Sequence, residues 1–496
     1  MFPMQRICRI EILDWIDMKE ARIRDRKTTI RAASDRIASQ RDGWIARNSF
    51  YYQQDAEYMR FLIPTGLRVL DLGCGTGDLL ANLKPSKGVG VDFSERMINI
   101  ARDKYPELDF SAGDIEDPQF IDDLDGPFDI IVLSDTIGLL DDCEASLKLL
   151  HSVSTPDTRL IVSYYSPYWE PLLRLGDKLG LRMPQPEVNY LSTADIANLL
   201  HLSDFEVIKV EWRQLVPKAL FGMGKLINRF VGTLPLIRRF CLKTYVVARP
   251  LKGSEKPDLS VSVVIPCRNE KGNIEPAIQR IKRFADDMEV IYVEGHSSDG
   301  TLEECKRVQK AYTDLDIKVI TQDGKGKGDA VWKAFDLARC DVLMILDADL
   351  TVPPEELPKF YNAVSNGKGE FINGTRLVYP MERGAMRFLN LIANRLFAQI
   401  FSFLLNQRFT DTLCGTKVLR KADYQRIAKN RSYFGDFDPF GDFDLIFGAA
   451  KLNMKITEIP IRYADRTYGE TQISRFRDGW ELIKMVVFAW HKLKAF

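Results

Sequence analysis

Short apolar runs recur along the chain, each closed by a glycine or an acid and followed by a helical pattern. "LRVLDLGCGTGDLLANL" (67–83) reads as strand, glycine turn and helix. "GVGVD" (88–92) is a second strand, "LDFSAGDIED" (108–117) a third segment, and "FDIIVLSDTIGLL" (128–140) carries a fourth strand. "FEVIKVEWR" (205–213) and "LKTYVVAR" (242–249) read as a closing antiparallel pair. The rhythm then restarts with "SVSVVIPC", "MEVIYVEG", "IKVIT" and "VLMIL". Strands apolar on both faces belong to sheets covered on both sides, so an α/β class with two Rossmann-like domains is expected. A chain of 496 residues is also too long for one core. The expected layout is a helical segment over 1–50, domains over 51–250 and 260–496, and a polar, proline-containing linker over 251–259.

Composition narrows the class. Zero formal net charge gives nucleic-acid binding no global electrostatic support. Eight cysteines without a CxxC pair fit reduced thiols in a cytosolic protein, and four histidines argue against a histidine-rich metal site. The N-terminus has charges inside each apolar run, which fits neither a signal peptide nor a spanning helix, and no run reaches 18 apolar residues. Arginines at helical spacing over 15–50 predict a solvated helix.

In the first half, Gly73, Gly75 and Gly77 permit positive φ and close approach of a ligand to the backbone. Asp92 stands about 20 residues beyond the turn, where an acid grips ribose hydroxyls. The "GCGTG" spacing departs from GxGxxG, which argues against NAD. Together "LDLGCGTG", "VDFS", "GDIED" and "FDIIVLSD" resemble the ordered motifs of class I S-adenosylmethionine-dependent methyltransferases over roughly residues 50–250. The resemblance implies that Asp71 and the 73–77 turn, Cys74 included, hold the amino-acid end of S-adenosyl-L-methionine. Asp92 with Phe93 would hold the ribose, and Asp114 with Ile115 would frame the adenine. A non-catalytic cofactor- or membrane-binding module is the alternative. The methyl acceptor is not legible; Tyr164, Tyr165, Tyr168 and Trp169 either stack on it or simply pack.

Between the last two strands of this half lies "QLVPKALFGMGKLINRFVGTLPLIRRFC" (214–241). No Asp or Glu occurs from Trp212 to Ser254, while cations and apolar residues alternate at roughly helical spacing. That composition suits either an interfacial membrane contact or a helix packed on a neighbouring domain.

In the second half, "VLMILDADL" drives a buried strand into Asp347 and Asp349, which point the same way because side chains alternate along a strand. Two close carboxylates repel unless a cation or a shared proton lies between them. "VVIPCRNE", "VEGHSSDGT", "GKGKGDAVWKAF" and "LDADL" resemble, in order and spacing, family 2 glycosyltransferases of GT-A fold. "INGTRL", "DTLCGTKVLRK", "FGDFDL" and "RYADRTYGETQISRFRDGW" narrow the resemblance to the dolichol-phosphate mannose synthase branch. It implies a nucleotide-sugar donor, uridine or guanosine, bound by Pro266, Asn269, Glu270, Glu294, Lys327, Asp347 and Arg376. Asp347 and Asp349 would hold Mg2+ or Mn2+, and Arg376 and Arg466 would hold phosphate oxygens. Asp349, Asp444 and Arg466 are the catalytic candidates. Two departures stand out: the turn Glu294-Gly295-His296-Ser297 in place of "DDGS", and Thr351 where the branch commonly has glutamine.

The acceptor decides the chemistry. A polyprenyl phosphate needs cations, for which Arg466, Arg475 and Arg477 are placed. A sugar hydroxyl needs a base, for which Asp444 is the candidate unless it orients an arginine. With the basic insertion, "AMRFLNLIANRLFAQIFSFLLNQ" (385–407) and "GWELIKMVVFAWHKLKAF" (479–496) suit lying in an interface rather than crossing it. The expectation is a two-activity enzyme, peripheral at the cytoplasmic face of a membrane, with no nucleic acid and no obligate protein partner. Transfer to a sugar hydroxyl beside a non-catalytic first domain is the competing reading.

Overall fold

The computed structural model describes residues 4–185, 189–251, 258–378, 388–433, 443–464, 466, 468 and 475–495, with backbone alone at 4–25, 388–393 and 475–479. Most of the expected linker, Arg387, and residues 440–442 of "FGDFDL" lie outside the described residues, as do the side chains of Asn390, Arg475 and Arg477. The chain divides into two compact units, Met1–Lys252 and Gly253–Phe496.

The first unit is built on seven strands: β1 (Arg68–Leu72), β2 (Lys87–Asp92), β3 (Asp109–Ala112), β4 (Phe128–Ser134), β5 (Ser154–Tyr165), β6 (Phe205–Arg213) and β7 (Lys243–Pro250). Their order is β3-β2-β1-β4-β5-β7-β6. The first five run parallel; β7 is antiparallel to both β5 and β6. Strand order reverses between β1 and β4, where connections leave in opposite directions and open a crevice at the carboxyl edge. Leu70, Leu72, Val91, Ile131 and Leu160 belong to the apolar core of this sheet, which explains the unbroken apolar runs.

The predicted β6–β7 pair forms, but the insertion between it is not one amphipathic helix. It is a series of short turns and coils, including Leu220–Gly222, Met223–Leu226, Ile227–Val231 and Ile237–Phe240, with Phe221 and Gly222 at positive φ. Asn228 pins it, accepting from Val216 N at 2.8 Å and donating to Val216 O at 2.9 Å.

The second unit carries β8 (Val261–Cys267), β9 (Met288–Glu294), β10 (Asp316–Thr321), β11 (Val342–Ile345), β12 (Phe371–Thr375), β13 (Lys417–Arg420) and β14 (Ile456–Pro460). Their order is β10-β9-β8-β11-β13-β12-β14, with β13 antiparallel to both neighbours. β11 is buried throughout and lies beside β8, again where the order reverses. The segment Phe388–Leu405 is a helix whose Phe401 stacks on Phe443 and Phe447 at 5.3 and 5.8 Å, so one side of it is core. Helix Arg475–Leu493 buries Leu482, Met485, Ala489 and Leu493 and exposes Trp480, Ile483 and Val487. Among the described residues no helix is long and apolar enough to cross a membrane.

Candidate active sites

The carboxyl edge of β1 opens into a cavity of about 410 Å³ within the first unit. Asp71, Gly73, Cys74, Gly75, Asp92, Phe93, Asp114 and Ile115 line it. Gly77 is not among the lining residues; at φ +80° it caps helix Asp78–Leu83. Gly73 has φ +85°, and a Cβ there would stand 2.1 Å from Thr136 Oγ1, which itself donates to Leu72 O. Only glycine fits that close approach. Asp92 fastens the second strand to the first turn, its two oxygens accepting from Gly75 N and Ser94 N, each at 2.9 Å.

Asp71 is fully buried and its Oδ2 has no hydrogen-bond partner. Burial, reinforced by Asp92 and opposed by Arg41, pushes its carboxyl up to about 7. A buried acid without a partner is costly unless a ligand supplies one, and the ammonium of S-adenosylmethionine is such a partner. The residues present therefore fit the cofactor that the motifs imply.

The N-terminal helix, Met4–Arg47, departs from expectation. One face of it is not solvated but covers the loops after four consecutive strands. Arg41 lies against Gly75, and Thr76 Oγ1 donates to Asp42 at 3.1 Å. Ser94 Oγ donates to Asp35 at 2.5 Å, and Arg31 stands over the Phe93 ring at 5.4 Å. Lys27 Nζ reaches Asp114 at 2.7 Å and Glu116 at 3.0 Å, while Arg26 pairs with Asp141. Residues 27, 30, 34, 37, 41 and 45 form its cavity-lining stripe, and that spacing of three and four was the signal available in the sequence. Asp114, expected to frame adenine, therefore enters the cavity already engaged, by Lys27 and by the Glu116 amide.

The four aromatics at and after the end of β5 part company. Tyr164 is packing, donating to Asn189 O at 2.5 Å, and Trp169 donates to Phe240 O at 2.7 Å. Tyr165 lines the cavity and Tyr168 is exposed. Beside Tyr165 lies a group that sequence reasoning missed. Fully buried Lys243 stands 3.0 Å from both Asp55 and Asp135, two acids that also line the cavity. Their separation of 80 residues hides them from any local pattern.

In the second unit the predicted acids assemble at the carboxyl edges of β8 and β11. Asp347 Oδ1 lies 2.7 Å from Lys327 Nζ. Burial alone would raise the Asp347 carboxyl, but Lys327, Lys417 and Arg376 outweigh it and hold it below the usual range. Gly415 backs onto this pair, where a Cβ would stand 1.8 Å from Asp347 Oδ2. Asp349 Oδ2 accepts from Arg466 Nη2 at 2.6 Å, and Arg466 Nη1 donates to Glu270 Oε1 at 3.0 Å. One guanidinium thus bridges two acids 79 residues apart in the chain. Asn273 secures the other Glu270 oxygen at 2.7 Å. Thr351 caps Asp349, donating from N at 3.1 Å and Oγ1 at 2.8 Å to Oδ1. Pro266 is the penultimate residue of β8 and Asn269 follows at φ +55°, its side chain accepting from Ser298 N at 2.9 Å.

Four of the residues singled out in the sequence already hold partners within this unit. Arg376 closes its fork on buried Asp411, with Nε and Nη2 at 2.6 and 2.8 Å, so the face assigned to phosphate oxygens is already occupied. Asn394, which read as a polar break in an interfacial helix, serves the same buried acid at 3.0 Å. Asp444 accepts from Arg431 Nε at 2.9 Å and is buried, an arrangement that matches the arginine-orienting alternative left open beside the base role. Glu294 is buried too and folds back on its own turn, Oε1 accepting from Ser297 N at 2.5 Å, instead of extending toward a nucleobase. A tight turn must satisfy its amides, and the longer acid does so here.

Two family profiles match the chain, one for the methyltransferase domain over residues 45–210 and one for glycosyl transferase family 2 over residues 262–427. The dolichyl-phosphate hexose transferase of Haloferax volcanii is 30% identical over 230 residues, 46% of this chain and 92% of its own length. The low-salt glycan biosynthesis hexosyltransferase Agl6 of the same organism is 29% identical over 229 residues, and the chain spans about half of it, 53%. A SAM-dependent methyltransferase of Thermotoga maritima, described as a possible histamine N-methyltransferase, is 20% identical with a TM-score of 0.35, covering 45% of this chain and all of that one. The chain is built of two α/β domains, each matched by a transferase family model. Through its second unit it belongs to glycosyl transferase family 2, among the relatives of dolichyl-phosphate hexose transferases, and its first unit matches a methyltransferase-domain family model.

Proposed function

We propose that the second unit transfers a sugar from a uridine or guanosine diphosphate sugar to a polyprenyl phosphate, by one inverting displacement. The observation that carries this reading is the charged edge where Arg466 bridges Asp349 and Glu270 beside the Lys327–Asp347 pair. A diphosphate leaving group needs positive charge as its bond breaks, and such an edge gathers it. Asp347 and Asp349 are hard oxygen donors two residues apart, each already facing a cation, so their chemistry fits Mg2+ or Mn2+. When bound, the cation neutralises charge on the departing diphosphate.

The acceptor follows from what the site must do. A lipid phosphate is largely ionised near neutrality and needs no base, its second pKa being about 6. A hydroxyl acceptor needs one, and the pairing of Asp444 with Arg431 weighs against that alternative. Similarity to a dolichyl-phosphate hexose transferase over 92% of its length supports the phosphate acceptor.

The first unit transfers a methyl group from S-adenosylmethionine to a glycan or glycolipid, and the protein works at the cytoplasmic face of a membrane. Support for the membrane comes from the insertion, where Leu220, Phe221, Met223, Leu226 and Leu236 are exposed among lysines and arginines with no acid nearby in sequence.

The deciding experiment incubates the full chain with polyprenyl phosphate and a panel of uridine and guanosine diphosphate sugars, with and without Mn2+ or Mg2+. Metal-dependent appearance of sugar in the organic phase is expected. Transfer only to free saccharides overturns the reading. Flotation with anionic liposomes, comparing the protein with a Phe221→Glu, Leu236→Glu variant, tests the membrane contact; equal flotation removes it.

A further inference from the structure

The first unit's cavity is lined by two charged groups of opposite sign, each with one buried polar atom that lacks a partner. Asp71 Oδ2 is one; Arg41 Nε, contributed by the N-terminal helix, is the other. Arg41 forms no ion pair among the described residues, although Asp71 and Asp92 stand near enough to feel its charge. Its guanidinium lies flat on the glycine turn, and a Cβ at Gly75 would stand 2.7 Å from Arg41 Cζ. The missing side chain at Gly75 therefore admits an arginine as well as a ligand.

Two unpaired groups of opposite charge at one end of a cavity call for a ligand bearing both charges on adjacent atoms. An α-amino acid is such a group. We infer that Arg41 grips the carboxylate of the cofactor's amino-acid end while Asp71 takes its ammonium, which makes the N-terminal helix a wall of the cofactor site. The inference rests on the methyltransferase reading and adds a residue that lies outside its glycine motif. The helix is fixed by contacts elsewhere: Lys27 with Asp114 and Glu116, Asp35 with Ser94, and Asp42 with Thr76 and Lys104. Arg41 is thereby held in place before any ligand arrives, and a planar fork so held matches a carboxylate.

The test is calorimetry on the full chain with two probes. S-adenosylhomocysteine keeps the amino-acid end; 5′-methylthioadenosine lacks it. Arg41→Met is expected to weaken S-adenosylhomocysteine by about 10- to 100-fold, as for loss of a charge-assisted hydrogen bond, and to leave 5′-methylthioadenosine within about twofold, a scatter of a few tenths of a kcal/mol. Arg41→Lys, which keeps the charge and loses the fork, is expected to fall between. Retained binding of 5′-methylthioadenosine also shows that the variant is folded. Unchanged S-adenosylhomocysteine affinity in Arg41→Met overturns the inference, and so does an equal loss for both probes, which makes Arg41 a shape element only. If the unaltered protein binds neither probe, the cofactor reading itself fails and takes this inference with it.

Discussion

The two sites occupy the same topological position, the carboxyl edge where strand order reverses, yet they differ in how completely their charged groups are paired. In the first unit Asp71 and Arg41 keep polar atoms without partners inside a cavity. In the second, the charged groups are already paired: Lys327 with Asp347, Arg466 with Asp349 and Glu270, Arg376 with Asp411, and Arg431 with Asp444. The first site is poised for a ligand that completes it. The second must exchange internal ion pairs for ligand contacts, so its affinity is a difference between two sets of charge interactions. Single substitutions should therefore act differently in the two units.

The largest effect is expected at Asp349. Asp349→Ala removes a donor for the cation and leaves Arg466 facing Glu270 alone. Sugar transfer to polyprenyl phosphate should fall by at least about 1,000-fold, the upper range for removal of one group that stabilises a transition state. S-adenosylhomocysteine binding by the first unit, read by calorimetry on the same preparation, should not change. Transfer within about tenfold of the unaltered protein sinks the assignment. Arg466→Lys comes next, with a loss of about 10- to 100-fold, because one ammonium cannot span Asp349 and Glu270 as the fork does; a loss below about threefold, under 1 kcal/mol, removes the bridging role.

The unpaired site has a pH signature of its own. Asp71 has its carboxyl near 7 in the free protein, and the ligand's ammonium favours the ionised form. Above 7 the carboxylate is ready; below 7 a proton must leave on binding. S-adenosylhomocysteine affinity should thus fall by about tenfold per pH unit below 7, until the lowered carboxyl of the complex is reached. Asp71→Asn should flatten that slope. The same variant should raise the melting temperature of the free protein at pH 8, since a carboxyl raised by folding opposes folding increasingly as pH climbs from its unfolded value to 7. A slope kept in Asp71→Asn assigns the titration elsewhere.

Local pattern carried much of this. The glycine turn, the acids at the ends of β1 and β2, and the Asp347–Asp349 pair were legible because strands alternate and turns need particular residues. Arg41 was legible only as one member of a stripe spaced by threes and fours, because the helix that carries it is charged on many faces and the fold alone reveals which face is covered. The partners of Arg376 and Asp444 were hidden for another reason. Arg376 meets Asp411 35 residues on, and Arg431 precedes Asp444 by 13, so each pairing is decided by tertiary packing alone. A motif identifies the residue type, but whether an arginine faces a phosphate or an aspartate depends on what packs behind it.

Thr351 offers the finest test of the contrast, with the smallest expected effect. Its hydroxyl and amide both donate to Asp349 Oδ1, which leaves Oδ2 to Arg466. Thr351→Val keeps the shape and the amide bond but loses the hydroxyl donor to a charged acceptor, a contribution of about 1.5–3 kcal/mol where nothing replaces it. Because Arg466 still anchors the carboxylate, the loss should lie at or below the low end, about three- to tenfold in sugar transfer, with Thr351→Ser close to the unaltered protein. In the unpaired site such compensation is absent, so there the loss of one donor should act in full. Should Thr351→Val cost as much as Arg466→Lys, the two oxygens of Asp349 are not independently held, and the second site is no more redundant than the first.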